Sequence, residues 1–317
     1  MTNENIHAIK PEVLQAVLDG AVANARTITG GRLATYIPEL AEVSPEITAV
    51  SILLTNGERY TAGDVDETRL ITLQSTSKVI LLVGLLEQFG EEEVFNWTRK
   101  EPSGDDFASI ARLDKYGPLP SNPMINAGAI SLCSHIPGDT IEQQLGWLEY
   151  WMERCFGTPL KINQKVFASE RRTGDRNRAL AYLMKSTGVI EKEVDHVLEC
   201  YFYLCSFEAT VSQAAHLPML LANAGLTPQG ERILSRRTVE LTLSIMTTCG
   251  LYNQAGEHLV KTGLPAKSGV SGFIFAVAPR IAGIAVFSPL VNLKGTSLRG
   301  EAMLEYIAKT MQWHFAI

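Results

Sequence analysis

Apolar and polar positions follow different periods along this chain, and the switches between them mark out its elements. Near the amino-terminal end Leu14, Leu18 and Val22 recur at helical spacing behind Pro11, a residue favoured in a first turn, so a helix is expected over 11–26. Residues 47–54 are β-rich, Asn56-Gly57 is a strong two-residue turn signal, and 58–62 run back as the second arm of a hairpin. From Ser75 to about residue 244 the period is almost wholly helical. The run Val79 to Leu86 reads as a helix buried on every side. Thr140-Ile141-Glu142-Gln143 has the form of a capping box, and Ile141, Leu145, Leu148, Met152 and Cys155 follow at helical spacing. Further helices are expected over 175–186 (stopped by Gly188), 192–204, 211–223 and 237–248. Segments 117–123 and 168–174 read as loops.

Beyond Gly263 the pattern changes again. Residues 270–278 and 281–287 are dense in Val, Ile, Phe and Ala around Pro279-Arg280, which predicts an antiparallel hairpin covered on both faces, and an amphipathic helix closes the chain over 298–312. The order is therefore helix and strands, a long helical block, then strands and a helix. Both ends are expected to build one sheet, giving an α/β domain from 1–74 and 245–317, a helical domain from 75–244, and a cleft at their junction.

The composition narrows the function by exclusion. At 317 residues and 46% hydrophobic the chain has ample core, and a net charge of −6 without a basic run argues against nucleic acid or anionic membrane as the main partner. No stretch of eighteen uninterrupted apolar residues occurs, and the polar segment Met1 to His7 has no basic or apolar region of a secretory signal, which suggests a cytoplasmic location. Cys133, Cys155, Cys200, Cys205 and Cys249 show no Cys-x-x-Cys spacing and read as reduced core residues. The histidines have no metal-ligand spacing, and no glycine-rich phosphate loop is present, so neither a metal nor a nucleotide cofactor is expected.

The chemistry concentrates at Ser75-Thr76-Ser77-Lys78. A serine at the head of a core helix, with a lysine one turn later on the same face, has the geometry of an activated nucleophile: burial lowers the lysine pKa, and the helix's free N–H groups favour a nearby oxyanion. Ser-x-x-Lys alone is common, and a capping serine followed by a surface lysine is the plain alternative. A partner is sought on the returning strands. Lys261-Thr262-Gly263 and Lys267-Ser268-Gly269 both have the Lys-[Ser/Thr]-Gly form of serine β-lactamases and penicillin-binding proteins; Pro265 disfavours a central strand after the first, whereas the second leads into one, where its glycine allows close approach.

With these residues in view, the chain resembles the bacterial members of the serine-dependent glutaminase family, whose fold is that of the β-lactamases and DD-peptidases. The resemblance is carried by Tyr36-Ile37-Pro38-Glu39-Leu40-Ala41, Leu73-Gln74-Ser75-Thr76-Ser77-Lys78, Glu101-Pro102-Ser103-Gly104, Asn122-Pro123-Met124-Ile125-Asn126-Ala127-Gly128-Ala129-Ile130, Ser169-Glu170-Arg171, Gly174-Asp175-Arg176-Asn177, Tyr201-Phe202 with Leu204-Cys205-Ser206, Cys249-Gly250-Leu251-Tyr252 and Gly263 to Val270. It implies a central, mainly antiparallel sheet flanked by helices with an all-helical insertion.

The resemblance also implies roles. Ser75 would attack the side-chain amide of L-glutamine to give a γ-glutamyl ester and ammonia, with L-glutamate released by water; Lys78 would take the serine proton, and Tyr201 and Tyr252 would relay protons. The backbone N–H groups of Ser75 and Val270 would form the oxyanion hole, while Tyr36, Asn126, Glu170 and Asn177 would hold the amino-acid end. A homo-oligomer, dimer or tetramer, is expected. No Ser-Asp-Asn separates Ser75 from Lys267, which counts against a penicillin-recognising hydrolase, and retention of Ser75 and Lys78 counts against a glutamine-binding module without catalysis.

Overall fold

The computed structural model describes residues 9–103 and 117–316, so Met1 to His7 and Gly104 of the segments above lie outside the described residues. Strands β1 (Ala49–Leu54), β2 (Arg59–Gly63), β6 (Ala266–Ser268), β7 (Phe273–Ala278) and β8 (Ala282–Phe287) form one antiparallel sheet in the order β2-β1-β8-β7-β6. Residues from near both ends of the chain therefore share a sheet, with β1 running beside β8 over six paired positions from Ala49↔Phe287 to Leu54↔Ala282.

Period-two alternation decides what each sheet face meets. Val50, Ile52, Leu54, Ile274, Ala276, Ile284 and Val286 share a core with α1 (Pro11–Arg26) and the carboxy-terminal helix Leu298–Met311. Ala49, Leu53, Phe273, Phe275, Ala285 and Phe287 face the helical block instead. At Gly283 the helix His216–Ala222 comes so close that a Cβ would stand 1.9 Å from the Met219 nitrogen, which only glycine permits.

Several expected elements appear as read: the helices Pro11–Arg26 and Asp175–Ser186, the Thr140 capping box opening Ile141–Phe156, and five buried, unbridged cysteines. Others differ. Leu54 N–H bonds Glu58 O, so the first hairpin turns through Thr55, Asn56 and Gly57, a three-residue loop with Gly57 at φ 95°, rather than two residues. The expected helix over 211–223 is two, Val211–Ala214 and His216–Ala222, because Pro218 has no N–H for the Ala214 carbonyl. The block from 75 to 244 also holds two extended segments, β4 (Lys161–Ile162) and β5 (Phe207–Ala209), which with β3 (Ile71–Thr72) just before it make a small sheet in the order β3-β5-β4.

Two corrections bear on the cleft. Of segment 168–174, expected as a loop, residues 168–173 belong to the helix Gln164–Thr173 and only Gly174 lies outside it; the helix's polar surface hid its one buried stripe of Val166, Ser169 and Glu170, and the Asn163 side chain caps it by accepting from Lys165 and Val166 N–H. Val270 was expected to open a strand, but Lys267 and Ser268 themselves lie in β6, and Gly269 to Gly272 form the turn into β7.

Candidate active site

Ser75 sits in a single 3-10 turn, Gln74–Ser77, which passes directly into the helix Lys78–Trp97. The expected α-helical start at Ser75 is thus tighter, yet it leaves the opening N–H groups, that of Ser75 among them, without acceptors inside the turn. The turn is anchored from both sides. Leu73 N–H bonds Phe207 O on β5, and the Thr76 and Ser77 hydroxyls donate to Leu73 O and Gln74 O. Gln74 holds φ 50°, a left-handed conformation uncommon for a side-chain-bearing residue and often found where a site stores strain. On the sheet side, Gly269 lies so close that a Cβ there would be 2.8 Å from Leu73 O, so the Lys267-Ser268-Gly269 segment abuts the serine turn.

Lys78 is completely buried, so it is not the surface lysine of the plain alternative. Its Nζ lies 3.1 Å from Ser75 Oγ and 2.6 Å from Asn126 Oδ1, and burial pulls its pKa down to about 8. Asn126, first residue of the helix Asn126–Cys133, passes the contact on by donating from Nδ2 to Asn177 Oδ1 at 3.0 Å. Serine, lysine and two amides thus form one hydrogen-bonded line.

A second network surrounds Glu170, which is 4% exposed. Burial raises its pKa against the opposing hydrogen bonds from Tyr36 and Gln74. Tyr36 as a residue is 43% exposed, but its hydroxyl lies between Glu170 Oε1 at 2.8 Å and Gln74 Oε1 at 2.5 Å. One phenol proton serves only one acceptor. The charged Glu170 carboxylate is the stronger of the two acceptors for it. Burial, then the Glu170 charge, lifts the Tyr36 pKa well above the usual phenol range.

The remaining wall comes from the helix Val194–Cys205 and the returning strands. Tyr201 is buried, with its ring centre 5.8 Å from Lys78 Nζ, and burial lifts its pKa well above the usual phenol range. Tyr252 opens a short 3-10 turn, Tyr252–Gln254, in the left-handed region at φ 55°. Lys267 Nζ lies 3.1 Å from its hydroxyl and donates to Ser268 O at 2.6 Å; burial, then the Lys78 charge, drives the Lys267 pKa well below the usual lysine range.

Tyr36, Ser75, Asn126, Glu170, Asn177, Tyr201, Tyr252 and Val270 line one cavity of about 280 Å³, with Lys78 behind the serine. The structure thus brings together every residue to which the resemblance gives a site role. It adds Gln74 and Cys205 to the wall, Arg176 and Lys294 at charged positions, and Lys267 against Tyr252. Lys267 was visible as a motif without an assigned partner; Gln74 gave no signal beyond standing next to Ser75.

An antiparallel sheet flanked by helices, with a serine and a buried lysine at the sheet–helix junction, defines an α/β protein of the β-lactamase-like class. A sequence model described as Glutaminase matches residues 31–315. A glutaminase of Legionella pneumophila (strain Lens) is 55% identical over 302 residues, 95% of this chain and 97% of the relative, and one of Alkaliphilus oremlandii is 41% identical over 91% and 95%. Among solved structures, the probable glutaminase ybaS superposes with a TM-score of 0.92 at 34% identity, covering 96% of this chain and 98% of the other. A probable glutaminase from Bacillus subtilis, complexed with 6-diazo-5-oxo-L-norleucine, does so at 0.85 and 33% identity, covering 97% of both chains. The chain belongs to the glutaminase family, serine-dependent amidohydrolases that convert L-glutamine to L-glutamate and ammonia.

Proposed function

We propose that this chain hydrolyses L-glutamine through a γ-glutamyl ester on Ser75. The observation that carries the reading is the 3.1 Å approach of a fully buried Lys78 amine, its pKa lowered to about 8, to the Ser75 hydroxyl at the floor of the cavity. Neutral Lys78 takes the serine proton as Oγ attacks the side-chain carbonyl carbon. The oxyanion forms against the N–H groups of Ser75 and Val270. Collapse breaks the C–N bond; the proton held by Lys78 passes through the Tyr252 or Tyr201 hydroxyl to the leaving nitrogen, which departs as ammonia. Water then attacks the ester, Lys78 again takes a proton, and glutamate leaves with Ser75 restored.

Binding is assigned to the other wall. Glu170 pairs with the α-ammonium, Tyr36 holds that carboxylate in place, and Asn126 and Asn177 supply neutral amide groups to the amino-acid end. The analogue carried by the Bacillus subtilis neighbour has a glutamine-like skeleton, which supports the same occupant here. The division into a sheet unit (1–74 and 245–317) and a helical unit (75–244), with substrate held between them, is part of this proposal, as are a homo-oligomer and a cytoplasmic location. Light scattering tests the homo-oligomer. Among the described residues no helix is long and apolar enough to cross a membrane.

One assay tests the reaction: ammonia release from glutamine and asparagine, beside hydrolysis of a chromogenic cephalosporin. Turnover of glutamine that vanishes in Ser75→Ala is the expected result. Cephalosporin hydrolysis without glutamine turnover would replace the reading with a penicillin-recognising hydrolase.

A further inference from the structure

Glutamine carries two opposite charges at its α-carbon, and the roles above match only one of them with a counter-charge. The described lining of the cavity holds one carboxylate, Glu170, and two cations, Arg176 and Lys294. Lys78 and Lys267 lie behind the wall, engaged with Ser75, Asn126 and Tyr252. We propose that Lys294 recognises the α-carboxylate of the substrate and sets the preference for an amino acid with a free carboxyl group, a step that rests on the glutamine-hydrolysing reading.

The case for Lys294 begins with how its turn is built. The Asn292 side chain accepts from Lys294 N–H at 2.8 Å and Thr296 N–H at 3.2 Å, and Asn292 N–H bonds Thr296 O at 2.8 Å. Gly295, at φ 82°, supplies the reversal that a side chain would resist. This rigid turn is tied to both sides of the cavity mouth. Asn292 Nδ2 donates to Gln254 Oε1 at 3.2 Å, in the 3-10 turn that carries Tyr252, and Val291 pairs with Arg32, four residues before Tyr36. Lys294 and Gly295 reach the cavity, whereas Leu293 beside them is 86% exposed.

The charge of Lys294 is also available. Among the described residues it is held in no ion pair, and Glu257 feels its charge only through space. A cation at the rim, opposite in sign to Glu170 deeper in the wall, makes the cavity complementary to a zwitterion. Because it faces water, its effect belongs to substrate capture and is weakened by salt.

The test compares glutamine with its α-carboxamide, which keeps the α-ammonium and the side-chain amide but lacks the carboxylate. In Lys294→Ala, KM for glutamine should rise about fivefold, Lys294→Glu should raise it further, and Lys294→Arg should restore it. KM for the α-carboxamide should stay near the wild-type value in Lys294→Ala, and the salt dependence of KM seen for wild type with glutamine should flatten. An equal loss on both substrates, an unchanged glutamine KM, or the same split arising in Arg176→Gln and not in Lys294→Ala would overturn the assignment. Absence of glutamine turnover in wild type would overturn the proposed function itself, and so is distinguishable from failure of this inference.

Discussion

Lys267 Nζ lies 3.1 Å from the Tyr252 hydroxyl and 4.3 Å from the centre of its ring, so a phenol at the cavity wall is backed by an amine that burial holds well below the ordinary lysine pKa. The strand β6 brings Lys267 from behind, while the left-handed backbone of Tyr252 aims the phenol forward. The amine sits where it can exchange a proton with the phenol.

On that basis Tyr252→Phe should lower kcat by about 10²-fold or more while changing KM much less, since it removes a proton carrier and keeps the ring. Steady-state ammonia release settles this. A kcat within a few-fold of wild type would confine the relay to Tyr201.

Much of this arrangement was legible because its residues stand in local motifs. Ser75, Lys78 and Lys267 announce themselves by spacing, and the helices Pro11–Arg26 and Asp175–Ser186 by apolar period and by Pro11 or Gly188 at their ends. The helix bearing Glu170 was missed because its buried face is only three residues wide and includes the carboxylate itself, so periodicity read it as polar loop. The Gln74–Tyr36 contact spans 38 positions and Lys267–Tyr252 joins a strand to a turn; neither leaves a periodic trace. Val270 was misplaced because an apolar run does not reveal which of its members turn; Gly272, at φ 108°, marks the turn only once the backbone is known.

Ser75→Ala should abolish nearly all turnover in a folded protein that still binds glutamate. Ser77→Ala provides the contrast. The Ser77 hydroxyl is buried and donates to Gln74 O at 2.7 Å, so its loss should cost about 1 kcal/mol of stability while leaving substantial activity. Melting curves and ammonia assays on both variants check the pair; equal loss of activity in the two would remove Ser75 as the sole nucleophile.

Lys78 makes two pH predictions. The proposed base is the neutral amine, so kcat/KM should rise with pH through about 8, and Lys78→Arg, charged throughout, should be as inactive as Lys78→Ala. Stability follows the same group. Its folded pKa of about 8 lies below the ordinary 10.5, so the unfolded chain binds more protons between those values and wild-type stability gains with rising pH across that window. Lys78→Met removes the buried charge, and its stability relative to wild type should be most favourable below pH 8 and decline above it. A relative stability that does not vary with pH, measured by denaturant unfolding, would contradict a lowered Lys78 pKa.

Glu170 tests substrate recognition most directly, because burial still raises its pKa despite the hydrogen bonds it accepts, and a bound cation would offset that penalty. If it pairs with the α-ammonium in a cleft closed to water, Glu170→Gln should raise KM for glutamine by the equivalent of about 2–5 kcal/mol, while the amide oxygen still accepts from Tyr36 and keeps the wall in place. Burial raises the Glu170 pKa, so lowering the pH should protonate it earlier than an exposed glutamate and weaken glutamine binding in step, a dependence that Glu170→Gln should lose. Glutamine acylated on its amino group has no ammonium to offer. Wild type should process it poorly, and Glu170→Gln should narrow the gap between the two substrates even as its absolute activity falls. Wild-type turnover of amino-blocked glutamine at the rate of glutamine would show that Glu170 does not bind the ammonium, and would point to a side-chain amide within a larger molecule as the substrate.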